Sequence, residues 1–277
     1  MPHAYRPGSP RDIPGLTQSE LRDRYLVEDL FQVGQVRALY THFDRVATVG
    51  AIPTDAPLAL ETIPEIRSER FLDHREIGIV NIGGAGTVVA DGTRYALEKS
   101  AVLYLGRGTA DVSFESEAAS DPAVFYGFSA PAHHAHPSAL VTPDEGTIRE
   151  LGDQLTSNRR TLRQCIHENG VPSCQIVMGV TRLHPGSMWN TMPAHTHDRR
   201  TEFYVYFDLD EDQRVVHLMG EPSETRHLMV KDRSLVLSPS WSLHSGVGSS
   251  NYAFVWAMAG ENQSFDDMDG VPISEML

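Results

Sequence analysis

The chain has 277 residues, 40% hydrophobic and 22% charged, a balance that suits one large or two ordinary globular domains and excludes a disordered chain. Its formal charge of -14, from 37 acidic and 23 basic residues, opposes binding to the phosphates of a nucleic acid. With only two cysteines, Cys165 and Cys174, a disulfide framework is excluded and reduced thiols in a reducing compartment are expected.

The first residues, Met1-Pro-His-Ala-Tyr-Arg-Pro-Gly8, hold no apolar run of the kind a secretory leader needs. No stretch approaches the roughly 18 to 20 apolar residues of a membrane span. A cytoplasmic protein with neither membrane nor nucleic-acid partners is therefore expected. Thr17-Gln-Ser-Glu20 reads as a capping box that opens a short helix through about Tyr25.

Beyond that helix the 3.6-residue periodicity mostly disappears. Residues 36–40, 45–49, 77–82 and 86–90 are short β-rich runs, punctuated by Gly83-Gly84, Asp91-Gly92 and Gly106-Arg-Gly108. His74 stands near a strand start without partners at useful spacing. His134-Ala-His136, flanked by prolines and alanines and followed by no Glu at metal spacing, reads as a surface loop or an interface edge.

In the second half, residues 175–182, 202–207, 214–219, 235–237 and 252–256 repeat the style of the first. Thr93-Arg94 ahead of Lys99 finds a weak echo in Thr225-Arg226 ahead of Lys231, a modest sign of duplication. A polar stretch between residues 142 and 152 marks a boundary. Two tandem barrel-like β domains are expected, 1–145 without metal ligands and 146–277 with them.

The chemistry concentrates in His195-Thr-His197, Glu202 and His244. Three imidazoles and a carboxylate are a ligand set for a divalent first-row metal. On a strand, side chains two apart point the same way, so His195 and His197 can face one cavity. Asp198-Arg199-Arg200 suits a tight turn that would return Glu202 on the neighbouring strand, and His244 arrives from a strand distant in sequence. A solvated histidine pair is the bland alternative. Against it stand Pro193, which interrupts strand pairing, and the Pro- and Gly-rich turn that delivers His244. Such a set leaves positions for water or substrate, as a catalytic ion requires.

His195-x-His197-x4-Glu202 with a distant His244 resembles the two-motif signature of the cupin superfamily. It departs from the general pattern in having Trp241 where a Gly is usual, and no Asn after His244. The wider text is more specific: Gly186-Ser-Met-Trp-Asn-Thr-Met-Pro-Ala-His195, Glu224-Thr-Arg-His227, Ser238-Pro-Ser-Trp-Ser-Leu-His244 and Gly260-Glu-Asn-Gln-Ser-Phe-Asp-Asp-Met-Asp269. In the first half, Phe71-Leu-Asp-His-Arg-Glu76 and Asn81-Ile-Gly-Gly84 belong to the same text. Together these resemble the 5-dehydro-4-deoxy-D-glucuronate isomerases, also called 4-deoxy-L-threo-5-hexosulose-uronate ketol-isomerases, over nearly the whole chain.

That resemblance implies a mainly β protein of two tandem cupin-type (double-stranded β-helix, jelly-roll) domains behind a short N-terminal helix. It implies one zinc per subunit on His195, His197, Glu202 and His244. It also implies ketol isomerisation of a small deoxy keto-uronate in pectin and uronate breakdown, and a homo-oligomer, a hexamer in the family. A 5-deoxy-glucuronate isomerase, an iron-dependent dioxygenase and a sugar-binding cupin without turnover are the alternatives. The proton carrier stays open. Tyr204 and Tyr206 share the parity of Glu202 but suit a core equally; His227 is either an acid-base group or a hydrogen-bonded structural one; Arg199 and Arg200 either grip a carboxylate or lie solvated.

Overall fold

The computed structural model describes residues 4–277; residues 1–3, part of the stretch read as lacking a leader, lie outside the described residues. The helix forms as expected, over Gln18–Tyr25, because Thr17 and Glu20 cap each other: the Glu20 amide donates to Thr17 Oγ1 and the Thr17 amide to Glu20 Oε2 at 2.8 Å. Leu21 and Tyr25, one turn apart, are its buried face. No helix among the described residues is long and apolar enough to cross a membrane.

Apart from two short 3-10 helices, Pro10–Gly15 and Ile273–Glu275, the other named elements among the described residues are antiparallel strands. Residues 36–40 and 86–90 form strands as expected, Val36–Tyr40 and Gly86–Ala90. The run expected at 45–49 is instead Ala47–Ala51, because Asp44 and Arg45 take positive φ in the turn before it. Several strands were not among those expected, Phe125–Pro131 and Arg160–Ile166 being two of the longest. In the second of these, Arg160, Arg163 and Gln164 fall on both parities and obscure the period of two.

Four sheets result. Two are built from the first half of the chain, with six and four strands, and enclose a core that includes Ile77, Ile79, Val88, Leu103 and Phe125. The other two enclose the candidate site. The larger runs, edge to edge, Leu26–Val27, Ser234–Ser238, Arg200–Phe207, Ala253–Gly260, Val177–Leu183, Arg160–Ile166, Thr147–Leu151. The smaller runs Glu224–Val230, Val215–Glu221, Leu243–Gly248, Trp189–Thr196, Asp269–Gly270. Sheet membership passes from the first pair to the second between Val141 and Thr147, except that Leu26–Val27 pairs with Leu235 and Val236.

The six-stranded and seven-stranded sheets share a second apolar core. A Cβ on Gly78 would lie 2.8 Å from Met178 Sδ and 2.9 Å from Ile166 Cδ1, so any side chain there would push those two side-chain ends aside where the sheets meet. The Phe203 ring meets those of Phe128 and Phe43 edge to face, at 5.5 and 5.7 Å. A strand covered on both faces loses the polar-apolar alternation, and all eight residues of Arg200–Phe207 are buried. Phe203 and Val205 turn to the shared core, leaving Glu202, Tyr204 and Tyr206 for the interior between the larger and smaller sheets.

Candidate metal centre

His195 and His244 face each other across the ladder formed by Trp189–Thr196 and Leu243–Gly248. Pairing is regular at Trp189 and Asn190, lapses through Pro193, and resumes at His195. His197 follows the strand end, and the chain then crosses into Arg200–Phe207. One detail corrects the sequence reading: this next strand lies in the facing sheet and is not hydrogen-bonded to Trp189–Thr196. The turn therefore bridges two sheets, which sets the Glu202 carboxylate opposite the imidazoles rather than beside them.

The four side chains converge. Glu202 Oε2 lies 2.8 Å from His197 Nε2 and 3.0 Å from His244 Nε2, and His244 Nε2 lies 2.9 Å from His195 Nε2. All four ligand atoms fall within 4.8 Å of one another, a group able to hold a metal ion. The chemistry of the donors fits one. His197 Nδ1 donates to the Arg200 carbonyl at 3.0 Å, which leaves a lone pair on Nε2 pointing at the Glu202 carboxylate. Two acceptors at that distance repel unless positive charge lies between them.

Titration behaviour agrees with this reading. Burial, then the neighbouring His244, hold His195 well below the usual histidine range, so it keeps the neutral form that ligates metals. Burial disfavours the Glu202 carboxylate, but its close contacts with His244 and His197 outweigh burial and hold the carboxyl well below its ordinary value, in the anionic form that ligates metals.

A cavity of about 250 Å³ opens beside this cluster, bordered by His195 and Glu202. Tyr204, Asn190, Arg160 and Trp256 form other parts of its wall. Burial first, and the Glu202 charge second, push the Tyr204 phenol well up, so it keeps its proton. Asn190 is buried and its Nδ2 has no partner among the described residues. Arg160 donates from Nη1 to the Asn158 carbonyl at 2.9 Å, has no carboxylate partner among the described residues, and is lowered by burial. Asn190 pairs with Gly246 and His195 with His244, so about 7 Å of strand separates their levels at ~3.3 Å per residue. That is close to the length of a six-carbon chain.

The other candidates fall elsewhere. Arg200 is fully buried, donating to the carbonyls of Ser264 and Asp267, while Arg199 pairs with Asp267 at 2.7 Å and Asp269 at 2.9 Å. Both arginines thus tie the chain after Gly260 to the metal turn, and neither lines the cavity. His227 is exposed on an edge strand, and His74 is exposed beside Arg107. Tyr206 sits behind Tyr204, its Oη 2.7 Å from His217 Nδ1. His217 was not singled out from the sequence. Burial, then His244, push it down to about 3. Its signal was the inward parity it shares with Val215 and Met219.

Residues 25–271 match the model of a family described as KduI/IolB. A 4-deoxy-L-threo-5-hexosulose-uronate ketol-isomerase of Kineococcus radiotolerans is 63% identical over 271 residues, 97% of each chain. A protein of the same name from Halalkalibacterium halodurans is 50% identical over 268 residues, again 97% of each. Among solved structures, an IolB-like protein of Salmonella typhimurium superposes with a TM-score of 0.71 at 15% identity, covering 89% of this chain and 96% of that one. Oxalate decarboxylase of Lactobacillus farciminis superposes with a TM-score of 0.58 at 10% identity, covering 91% and 89%. These likenesses establish the mainly β, cupin-type fold that the sequence motifs led us to expect.

Proposed function

The chain belongs to the KduI/IolB family, and from that premise we propose that this isomerase converts 5-dehydro-4-deoxy-D-glucuronate to 3-deoxy-D-glycero-2,5-hexodiulosonate. The observation that carries the reading is the cluster of three imidazoles and one carboxylate opening on a cavity sized for one small sugar acid. His195, His197, Glu202 and His244 would hold one zinc per subunit. When bound, that ion supplies Lewis-acid polarisation of a carbonyl and stabilises negative charge on substrate oxygens, with no redox change.

In the reaction one C–H bond breaks at C2 and one forms at C1, while the hydroxyl proton passes from O2 to O1. Atoms and electrons balance within the substrate. Tyr204, kept protonated at the cavity wall, donates from Oη to the oxygens on which charge develops. Arg160 and Asn190 receive the other end, the carboxylate finding a half-buried guanidinium with no competing acid among the described residues and an amide with no other acceptor. Trp256, with its Nε1 donating to Thr181 Oγ1 at 3.1 Å, closes an apolar side that excludes water.

We read residues 1–145 and 146–277 as tandem domains, the first a scaffold and oligomer contact and the second the catalytic unit. The same reading places the protein in pectin and uronate breakdown, in the cytoplasm, as a homo-oligomer of hexamer type. Incubating the purified zinc-loaded protein with the ketouronate is expected to yield the diketo product by NMR. Substrate that binds but stays unchanged would make this a binding protein instead.

Two variants separate the roles within the cavity. Arg160→Gln is expected to raise KM about tenfold with kcat little changed. Tyr204→Phe is expected to lower kcat about 10-fold to 100-fold with KM unchanged, the range for losing one charge-assisted hydrogen bond. Both should keep their metal. Steady-state kinetics showing the reverse pattern, or no change in either variant, would reject these assignments.

A further inference from the structure

We propose that His134, His136 and Cys174 form a second metal site, for a thiophilic ion of the zinc class, separate from the cluster built on His195. The two histidines lie in the loop after Phe125–Pro131, and Cys174 lies just before Val177–Leu183. Chain distance hides the set, since the cysteine is 40 residues from His134. In space the donor atoms of all three fall within 4.8 Å of one another. Cys174 Sγ is 3.8 Å from His134 Nδ1, and the two imidazole rings are 4.2 Å apart. His136 Nε2 is buried and has no hydrogen-bond partner among the described residues. A buried ring nitrogen with nothing to bind is the point of the arrangement that asks for a ligand.

Both walls of the site are held in place before any ion arrives. The Cys174 amide donates to Glu76 Oε2 at 2.7 Å, and its carbonyl accepts from Gln263 Nε2 at 2.5 Å. Arg107 Nη1 donates to the carbonyls of Ala132 and His133 at 3.2 and 3.1 Å, fixing the root of the histidine loop. Gln175 Nε2 donates to the Pro131 carbonyl at 2.8 Å and ties the walls together. Gly106 lets the loop settle, because a Cβ there would lie 2.1 Å from the His136 carbonyl oxygen. Ligands held by packing and hydrogen bonds lose little entropy on binding.

One sulfur and two imidazole nitrogens favour zinc or another thiophilic ion over magnesium or calcium, which take oxygen. Three protein ligands leave a fourth position, and the exposed side of His134 gives it access to water. Binding releases the thiol proton, giving a thiolate-metal bond with no oxidant or reductant required. Occupancy cross-links a loop of the first half to a segment of the second, so it should stabilise the fold.

Cobalt(II) distinguishes this site from the first one. A thiolate-to-cobalt charge-transfer band in the near ultraviolet requires sulfur, and the His195 cluster has none. The other thiol, Cys165, is buried and belongs to no such group among the described residues. The full-length protein titrated with cobalt is expected to bind two ions per chain and to show the band. Cys174→Ser should abolish the band and one ion while leaving isomerase activity intact, and His136→Ala should weaken the second ion independently. A wild-type protein that saturates at one ion without the band, or a band that survives Cys174→Ser, overturns the proposal.

Discussion

His244→Ala is expected to lose the bound metal and to lower kcat/KM by about a thousandfold or more, while the chain still folds. His244 Nε2 stands between Glu202 and His195, at 3.0 and 2.9 Å, so its removal opens the cluster at the centre rather than at an edge. Charge stabilisation by a metal is worth several kcal/mol, and each ~1.4 kcal/mol is tenfold in rate. Folding is expected to survive because much of the apolar core lies away from His244. Phe203, Phe128 and Phe43 sit on the far face of the seven-stranded sheet, and the first-half core does not touch the site. Metal analysis by mass spectrometry, with far-ultraviolet circular dichroism as the folding control, tests both parts. Full metal occupancy with normal turnover would remove His244 from the site.

Glu76→Ala is expected to cost about 3–5 kcal/mol of stability, the range for breaking a buried charged contact by removing one partner. Glu76 is fully buried in the strand Arg75–Asn81. Its carboxylate accepts four hydrogen bonds: from Tyr104 Oη and the Cys174 amide at 2.7 Å, the Gln175 amide at 2.8 Å and the Ile176 amide at 3.2 Å. Burial, then the Glu76 charge, push the Tyr104 phenol up, so it remains a donor. Alanine leaves three backbone N–H groups and a phenol without an acceptor inside the protein. A loss of that size is a large share of a typical ~5–15 kcal/mol fold. Urea denaturation followed by tryptophan fluorescence measures it, and a Glu76→Ala midpoint equal to wild type would refute the assignment. Glu76→Gln, which keeps one acceptor oxygen, should fall between the two.

Glu76 also shows why part of the molecule was hard to read beforehand. As a sequence element it is a charged residue in Asp-His-Arg-Glu, at the start of an apolar run, and its natural reading is a solvated strand end. Its partners lie 28 residues away in one direction of the fold and about a hundred in another, and no local period encodes them. Arg160 and Asn190 were passed over for the same reason, since each becomes informative only where two sheets close on one cavity. Arg199 and Arg200 erred the other way: their place in a polar turn suggested solvent or substrate, and the segment 264–269 folds over to bind them.

The local text sufficed for the capped helix, for the abundance of short strands and for naming His195, His197 and Glu202 as candidate donors. Each of these rests on spacing within a few residues: Thr17 with Glu20, alternation along a strand, His195 with His197 and Glu202. Only the tertiary structure decided that His195 and His244 are cross-strand partners and that Glu202 reaches them from the facing sheet. It alone set His217 behind Tyr206 and brought Cys174 to His134 and His136. The physical reason is that side-chain type and local period specify which groups seek a partner, whereas sheet register and the packing of one sheet on another specify which partner each one meets.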